Sequence, residues 1–352
     1  MSDRDGRSRS TQRVTSRDVG KAAGVSQSTV SIVLSERWHG RISELTAMRV
    51  LRTAERMGYR PNLAARSLRT GSTNTVLMVV PVLSNPFFAA VHSAAVREAA
   101  MSGVSIVVYP LDADDEMTPF PSSRQIADGI LACSVDPARI SELVDGLPFV
   151  VIDGAPPPNV CAINADITGG ASRAVTHLAQ LGHRRVVHLA ADRTTWTFRQ
   201  RGSAFDAACA AHGLTSLRAT SRPSIEDGYR TALALMQGYV ESLGIVCDND
   251  QLALGVYWAA HEAGLGIPRD ISVIGFDDTP ISAVMRPPLT TIHVPGDELG
   301  TLGIRALIQE VRGDHAAATL LPTSLVIRGS TSAPPMAAPG IRPIAPPESG
   351  GA

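Results

Sequence analysis

In VGKAAGVSQSTVSIVL (residues 19–34), Gln27, Ser28, Ser31 and Ile32 fall on the helix face that Val30, Val33 and Leu34 leave outward. Their side chains suit base edges in a DNA major groove. Glutamine pairs bidentately with adenine, serine accepts either partner loosely, and an apolar tip fits a thymine methyl. Uncharged groups read bases, while nearby cations hold phosphates regardless of base order. Arg17, Lys21, Arg37 and Arg41 are the phosphate candidates. Residues 1–70 carry 14 Lys+Arg against 6 Asp+Glu, and the remainder 18 against 27, so a basic head precedes an acidic body. The competing readings are a helical hairpin from an unrelated domain and a basic tail with no partner.

Presenting such a face takes two short helices held close. Thr15 and Asp18 make a capping box, and Val19, Ala22 and Ala23 form an apolar stripe behind it. Gly24 ends the first helix and Ser26 caps the second, giving a helix-turn-helix. A third helix, ISELTAMRVLRTAERMGY, closes the small core through Val50, Leu51, Ala54 and Met57. In RPNLAARSL (60–68), Pro61 suits a first helical turn. The segment is too short to be helical alone, since isolated helices below about 12 residues are marginal. Leu63 and Leu68 either meet a surface there or belong to a linker packed on the body.

From TVLMVVPVL (75–83) onward the pattern changes. The apolar runs VSIVVY, DGILAC, PFVVID, RVVHLA, LGIVC and ISVIGF alternate with helical stretches. Alternation of this kind predicts parallel sheets covered by helices, and some 250 residues imply two sheets with a cleft between them. The Pro-rich end, 333–352, reads as a disordered tail.

Composition narrows the function classes. At 44% hydrophobic and 18% charged, the chain reads as a soluble globular protein. It has no apolar run of membrane length and no secretory signal, which predicts a cytoplasmic protein with no membrane partner. Cys133, Cys161, Cys209 and Cys247 have neither metal-like nor disulfide-like spacing. No phosphate loop, GxSxG, HExxH or dinucleotide fingerprint is present, so no enzyme, cofactor or metal is expected. His183 and His188 flank a strand and read as structural. Two other rivals remain: a transport-type solute-binding protein, which would share the body fold, and a non-specific nucleoid protein.

The sequence resembles the lactose-repressor (LacI/GalR) family of bacterial transcription regulators over about residues 14–330. The resemblance rests on DVGKAAGVSQSTVSIVLS, ERMGYRPNLAARSLRTG, SNPFF, LGHRRVVHLA, VCDNDQLALG, IPRDISVIGFDD and PPLTTI, in the family's order. It implies an all-α helix-turn-helix DNA-binding head and an α/β body of two doubly wound parallel-sheet subdomains, periplasmic-binding-protein-like. It also implies a homodimer on a pseudo-palindromic operator in double-stranded DNA, controlled by a small-molecule effector, sugar-like in kind.

By motif position, Gln27, Ser28 and Ile32 take the base-reading sites, and Leu68, with Ala65 beside it, takes the hinge site that wedges into the minor groove. Thr15, Arg17, Lys21, Ser26, Thr29, Ser31 and Asn62 complete the expected DNA-binding set. Phe87, Phe88, Asp153, Arg201, Asn249 and Asp277 are the expected effector contacts, an aromatic face with paired donors and acceptors for sugar hydroxyls. Helix capping competes for Asn249, and Trp196 is either a cleft residue or an incidental surface one.

The implied division is a tail over 1–13, the helix-turn-helix domain over 14–60, a hinge helix and linker over 61–74, and an effector-binding and dimerisation domain over 75–332. Within the last, one subdomain takes about 75–152 plus 290–318, the other about 153–289 plus 319–332. Three features depart from the family. Ile32 stands where Arg is frequent, predicting a different half-site. SERWHGRIS is a longer loop than usual. DADDEMTPFPSSRQIADG is short and Pro-broken where a full helix is usual, predicting a trimmed first subdomain.

Overall fold

The computed structural model describes residues 14–60, 71–111, 126–136, 139, 146–237 and 243–335. Both expected tails, apart from 333–335, lie outside these residues, as do hinge positions 61–70 and most of the Pro-broken segment. The chain divides into two units, Met1–Thr73 and Asn74–Ala352.

The first unit holds α1 (Ser16–Ala23), α2 (Gln27–Leu34) and α3 (Glu44–Arg56). Asp18 N–H donates to Thr15 Oγ1 at 3.3 Å, and Asp18 Oδ2 accepts from Thr15 N–H at 2.9 Å, closing the capping box. Gly24, at φ +66°, stops α1 in a conformation that costs glycine little. Gly20 lets the turn fold back, because a Cβ there would stand 2.9 Å from the Val25 carbonyl oxygen. Val19, Ala23, Val30, Val33, Ala47, Val50 and Ala54 make the core. Two stripe positions differ from expectation: Ala22 and Leu51 are exposed. Each neighbours a core residue in sequence, and a step of one residue turns a side chain about 100° around the helix.

The second unit is built from two six-stranded sheets. The first contains β1 (Thr75–Val80), β2 (Ser105–Pro110), β3 (Gly129–Cys133), β4 (Phe149–Ile152) and β5 (Ala162–Ala165). The second contains β6 (Arg185–Ala191), β7 (Thr215–Ser221), β8 (Leu243–Cys247), β9 (Ile271–Asp277) and β10 (Thr290–His293). Each gains a short last strand: β11 (Thr319–Leu321) joins the first and β12 (Ser324–Val326) the second. The orders are β2-β1-β3-β4-β5-β11 and β7-β6-β8-β9-β10-β12. Every pairing is parallel except β10 with β12.

The sheets correct the expected subdomain limits. Residues 162–165 pair with β4 and belong to the first sheet, whereas 290–293 pair with β9 and belong to the second. Residues 319–321 return to the first sheet through β5. The division thus falls at Asp166 rather than before Asp153, and after His293 rather than before Thr290. The short polar-edged strands AINA and TTIH gave no periodicity to place them.

The chain crosses between sheets at Asp166, at Val294-Pro295 and at 322–323. The first and third crossings are tied together. Asp166 N–H donates to Leu321 O at 2.8 Å, Thr323 Oγ1 donates to Asp166 O at 2.8 Å, and Arg173 Nη2 donates to Thr323 O at 2.9 Å.

Helices cover both sheets. On the first sheet, α4 (Pro86–Met101) lies along the helix Gly296–Arg312. Gly300 makes that approach possible, since a Cβ there would stand 2.1 Å from the Val91 carbonyl oxygen. Overpacking at a backbone contact costs roughly 1–3 kcal/mol. Gly300→Ala should therefore lower the urea midpoint with little change in slope. A midpoint equal to the parent's would mean the two helices separate freely.

Candidate functional site

In the first unit, Arg17, Lys21, Gln27, Ser28, Ser31, Arg37 and Arg41 are exposed, and Thr29 and Ile32 half-buried. Part of the expected DNA-binding set is committed to the fold. Ser26 Oγ accepts from Thr29 N–H at 3.1 Å and pairs with Thr29 Oγ1 at 2.9 Å, so both hydroxyls serve the N-terminus of α2. The Thr15 hydroxyl likewise donates to Asp18 Oδ2 at 2.7 Å. Gln27 Nε2 donates to Ser16 Oγ at 3.0 Å, which steadies the amide against α1 and leaves its oxygen for an outside donor. Ser28, Ser31 and Ile32 carry no such duty. In the long loop after α2, Trp38 stacks on His39 at 3.9 Å between ring centroids and packs on the core. Asn62, Ala65 and Leu68 lie outside the described residues.

In the second unit, Phe87, Phe88, Asp153, Arg201, Asn249 and Asp277 all line one cleft of about 390 Å³. The topology explains why. In each sheet the strand order reverses beside the first strand, at β1/β3 and at β6/β8. Loops leaving the carboxyl ends of strands on either side of such a point diverge and open a crevice. Ser84, Asn85, Phe87 and Phe88 follow β1, Ser134 follows β3, and Asp153 follows β4. Facing them, Thr197 and Arg201 follow β6, Asn249 and Gln251 follow β8, and Asp277 ends β9. Gln251 Nε2 donates across the opening to Ser84 O at 3.3 Å. Asn85, Ser134, Thr197 and Gln251 escaped the sequence reading, since only the strand order marks them.

The two phenylalanines meet edge to face at 5.4 Å and belong to the core as well as to the wall. Trp196, half-buried, packs against that core and is not among the lining residues. Asn249 caps the helix Asp250–Glu262, its Oδ1 accepting from Leu252 N–H at 2.8 Å, and it faces the cleft too. His183 and His188 lie elsewhere: His183 bonds to Ser272, and His188 Nε2 donates to Asp248 Oδ1 at 2.8 Å.

Arg201 is the buried cation of the cleft. Its guanidinium stands 3.9 Å from the Phe276 ring centroid and 5.3 Å from that of Phe198. Nη1 donates to the Asp248 carbonyl, and Nη2 lies 3.6 Å from Asp277 Oδ1. Asp248 is itself held, its Oδ2 accepting from Ala191 N–H at 2.7 Å. Burial pushes the Asp153 carboxyl upward, opposed by Arg201 and by the Ser134 and Thr197 hydroxyls. Burial pushes Asp277 up to about 8, and Asp250 and Asp153 add to this while Arg201 and Asn85 oppose it.

The backbone is strained at the same places. Ser134 (φ +52°), Asp153 (+51°), Asp277 (+103°) and Asp278 (+54°) occupy the half of φ space that favours glycine. A neighbouring acid is purely structural: buried Asp250 accepts from Thr279 N–H at 2.7 Å, Ser282 Oγ at 2.7 Å and Thr291 Oγ1 at 2.7 Å. Among the described residues, no cluster of His, Cys, Asp or Glu could hold a metal ion, and no helix is long and apolar enough to cross a membrane.

Residues 15–62 match the family described as bacterial regulatory proteins, lacI family, and residues 175–331 match a periplasmic binding protein-like domain. The HTH-type transcriptional regulator DegA of Bacillus subtilis (strain 168) is 32% identical over 331 residues, covering 90% of this chain and 97% of its own. The lac repressor dimer, solved bound to operator and the anti-inducer ONPF, superposes with a TM-score of 0.79 at 25% identity over 92% of this chain and 100% of that one. A LacI family transcriptional regulator from Enterococcus faecium, solved with bound ribose, gives 0.68 at 25% identity over 74% and 99%.

The raised Asp277 sets a pH dependence. Between its ordinary 3.8 and about 8 the unfolded chain releases this proton while the folded chain keeps it. Stability from this group is therefore full below pH 3.8 and declines as pH rises through 8. Asp277→Asn removes that loss, so its melting temperature relative to the parent should be higher at pH 8 than at pH 5. A relative melting temperature that is the same at both would show that the buried carboxyl carries its charge throughout.

Proposed function

The chain belongs to the lacI family of bacterial regulatory proteins, and on that footing we propose that it is a sequence-specific DNA-binding transcriptional repressor controlled by a small sugar-like effector. One observation carries the reading. A single chain holds an uncharged helix face of exposed Gln27, Ser28 and Ser31 and half-buried Ile32 amid Arg and Lys, and also a two-walled cleft lined by buried Arg201 beside Asp277 and by buried Asp153. The first suits base edges and the second suits hydroxyls.

In this mechanism the protein acts in the cytoplasm as a homodimer on double-stranded DNA. Each α2 enters one major groove, and the two-fold axis makes the operator pseudo-palindromic. Ser28, Ser31, Ile32 and the free oxygen of Gln27 meet base edges, while Arg17 and Lys21 hold phosphates. Ser26, Thr29 and Thr15 act indirectly by capping the helices that present these groups. Leu68, with Ala65 and Asn62 nearby in sequence, wedges into the minor groove at the operator centre.

An effector between the two sheets meets Asp153, Arg201, Asn249 and Asp277 through its hydroxyls and Phe87 and Phe88 through its ring. It changes DNA affinity only to the extent that it binds open and closed clefts unequally. The family is one of transcriptional regulators, and no step of this account requires a catalytic residue.

Selection of bound duplexes from genomic fragments tests the reading: recovery of a palindromic consensus is expected, and no enrichment over scrambled competitor at moderate salt overturns it. Ile32→Arg should shift the selected half-site; an unchanged consensus removes Ile32 from base contact. Leu68→Ala should weaken operator binding far more than binding to random duplex, whereas equal loss on both excludes the wedge.

A further inference from the structure

We propose that Arg328, which is not among the residues lining the cleft, is a positioning residue for the cleft acid Asp277 and holds it in place through Asp278. The inference rests on the reading of the cleft as an effector site and names a residue on which that site's geometry depends.

Asp277 ends β9, and the chain turns there through an unfavourable corner. Asp277 at φ +103° and Asp278 at +54° are consecutive residues in the half of φ space that favours glycine. Such backbone persists only where its surroundings over-determine it. Asp277 does not hold the corner itself, because its carboxylate stands 3.6 Å from Arg201 Nη2, beyond a hydrogen bond. On the far side Thr279 is fixed, its N–H and Oγ1 donating to Asp250 Oδ2 at 2.7 and 2.9 Å. Between these points stands Asp278, and both its oxygens are engaged from outside the cleft. Arg328 Nη2 donates to Oδ1 at 2.6 Å, and His293 Nδ1 meets Oδ2 at 3.1 Å.

Arg328 is the stiffer of these two partners. Its side chain is 20% exposed, against 47% for His293. Its Nη1 donates to Leu289 O at 2.7 Å, so one planar fork spans the corner and the approach to β10. The backbone beneath it is pinned as well. Arg328 N–H donates to Thr290 Oγ1 at 3.0 Å, and Gly329 N–H to Pro288 O at 2.9 Å.

Shortening Arg328 leaves a carboxylate that is only 16% exposed without this cation. A buried charge stripped of its partner costs more than the pair had contributed. The corner relieves itself by relaxing to negative φ and turning Asp278 to water, and the same rotation carries Asp277 off the cleft wall. In place, Asp277 is held up at about 8 by burial, Asp250 and Asp153, against Arg201 and Asn85. It therefore keeps its proton at neutral pH, and both donates to and accepts from a ligand hydroxyl. Displaced into water, it ionises and can only accept.

The test uses the full chain without ligand or DNA. The melting temperature of Asp277→Asn relative to its own background is measured at pH 5 and pH 8, once in the parent and once with Arg328→Met. In the parent this relative value rises with pH, because the stability that the protonated Asp277 supplies declines toward pH 8. With Arg328→Met the rise should shrink to half or less. Comparing chains with and without the Asp277 carboxyl cancels any change at His293 common to both. Arg328→Lys keeps the charge but gives up the fork, and its rise should lie between the other two. A rise that stays above half the parent's with Arg328→Met overturns the proposal, even where that chain melts earlier, since a merely structural loss moves both members of each pair alike. If Arg328→Met does not fold, Arg328→Lys decides: a smaller rise supports the proposal and an equal one overturns it. No rise in the parent overturns it too, because Asp277 would then not hold its proton. Failure of the regulator reading shows separately, as absence of any duplex preference.

Discussion

A guanidinium withdrawn from water needs compensation from its surroundings, and Arg201, whose Nε is buried without a hydrogen-bond partner, sets the terms for the cleft. Removing an ion of this kind from solvent costs several kcal/mol even after relaxation. Here two aromatic faces, the Asp248 carbonyl and the Asp277 carboxyl surround it. Each partner needs its own support. Asp248 is fixed by His188 and the Ala191 N–H, and Phe276 belongs to the core. Asp277 holds a left-handed φ that an unconstrained aspartate would leave. One buried cation thus accounts for a histidine that no surface needs and a strand end held under strain.

The same constraint separates two kinds of buried acid. Asp250 has its oxygens filled by hydroxyls and a backbone N–H, so it belongs to the scaffold. Asp153 and Asp277 face open volume, with fewer fixed donors and a shared cation. They are the acids left with capacity for a guest. Sequence position alone does not separate them, because all three lie within three residues of a strand end.

What was legible in the sequence follows from how far each signal reaches along the chain. The capping box at Thr15 and Asp18, the stop at Gly24 and the polar face of α2 are local, and the structure holds each of them. Strands β1, β3, β4, β8 and β9 were plain because burial on both faces makes them continuously apolar. Strand β7 was hidden, since as an exposed edge it reads TSLRATS, and β5, β10, β11 and β12 are too short to show a period. The stripe errors at Ala22 and Leu51 lie one residue from the true face. In the cleft, motif positions brought out Asp153, Arg201, Asn249 and Asp277. Asn85, Ser134, Thr197 and Gln251 depend on which strands are neighbours, and that is a property of the whole sheet.

The knot of Asp166, Thr323 and Arg173 limits how this body can deform. Three passages join the halves, but two are laced together and act as a single attachment. The third, at Val294-Pro295, is the other. Two points define a line, and a solid fixed at two points keeps one freedom, rotation about that line. Relative travel of the halves is then a swing rather than a slide or a twist, so displacement grows with distance from the axis.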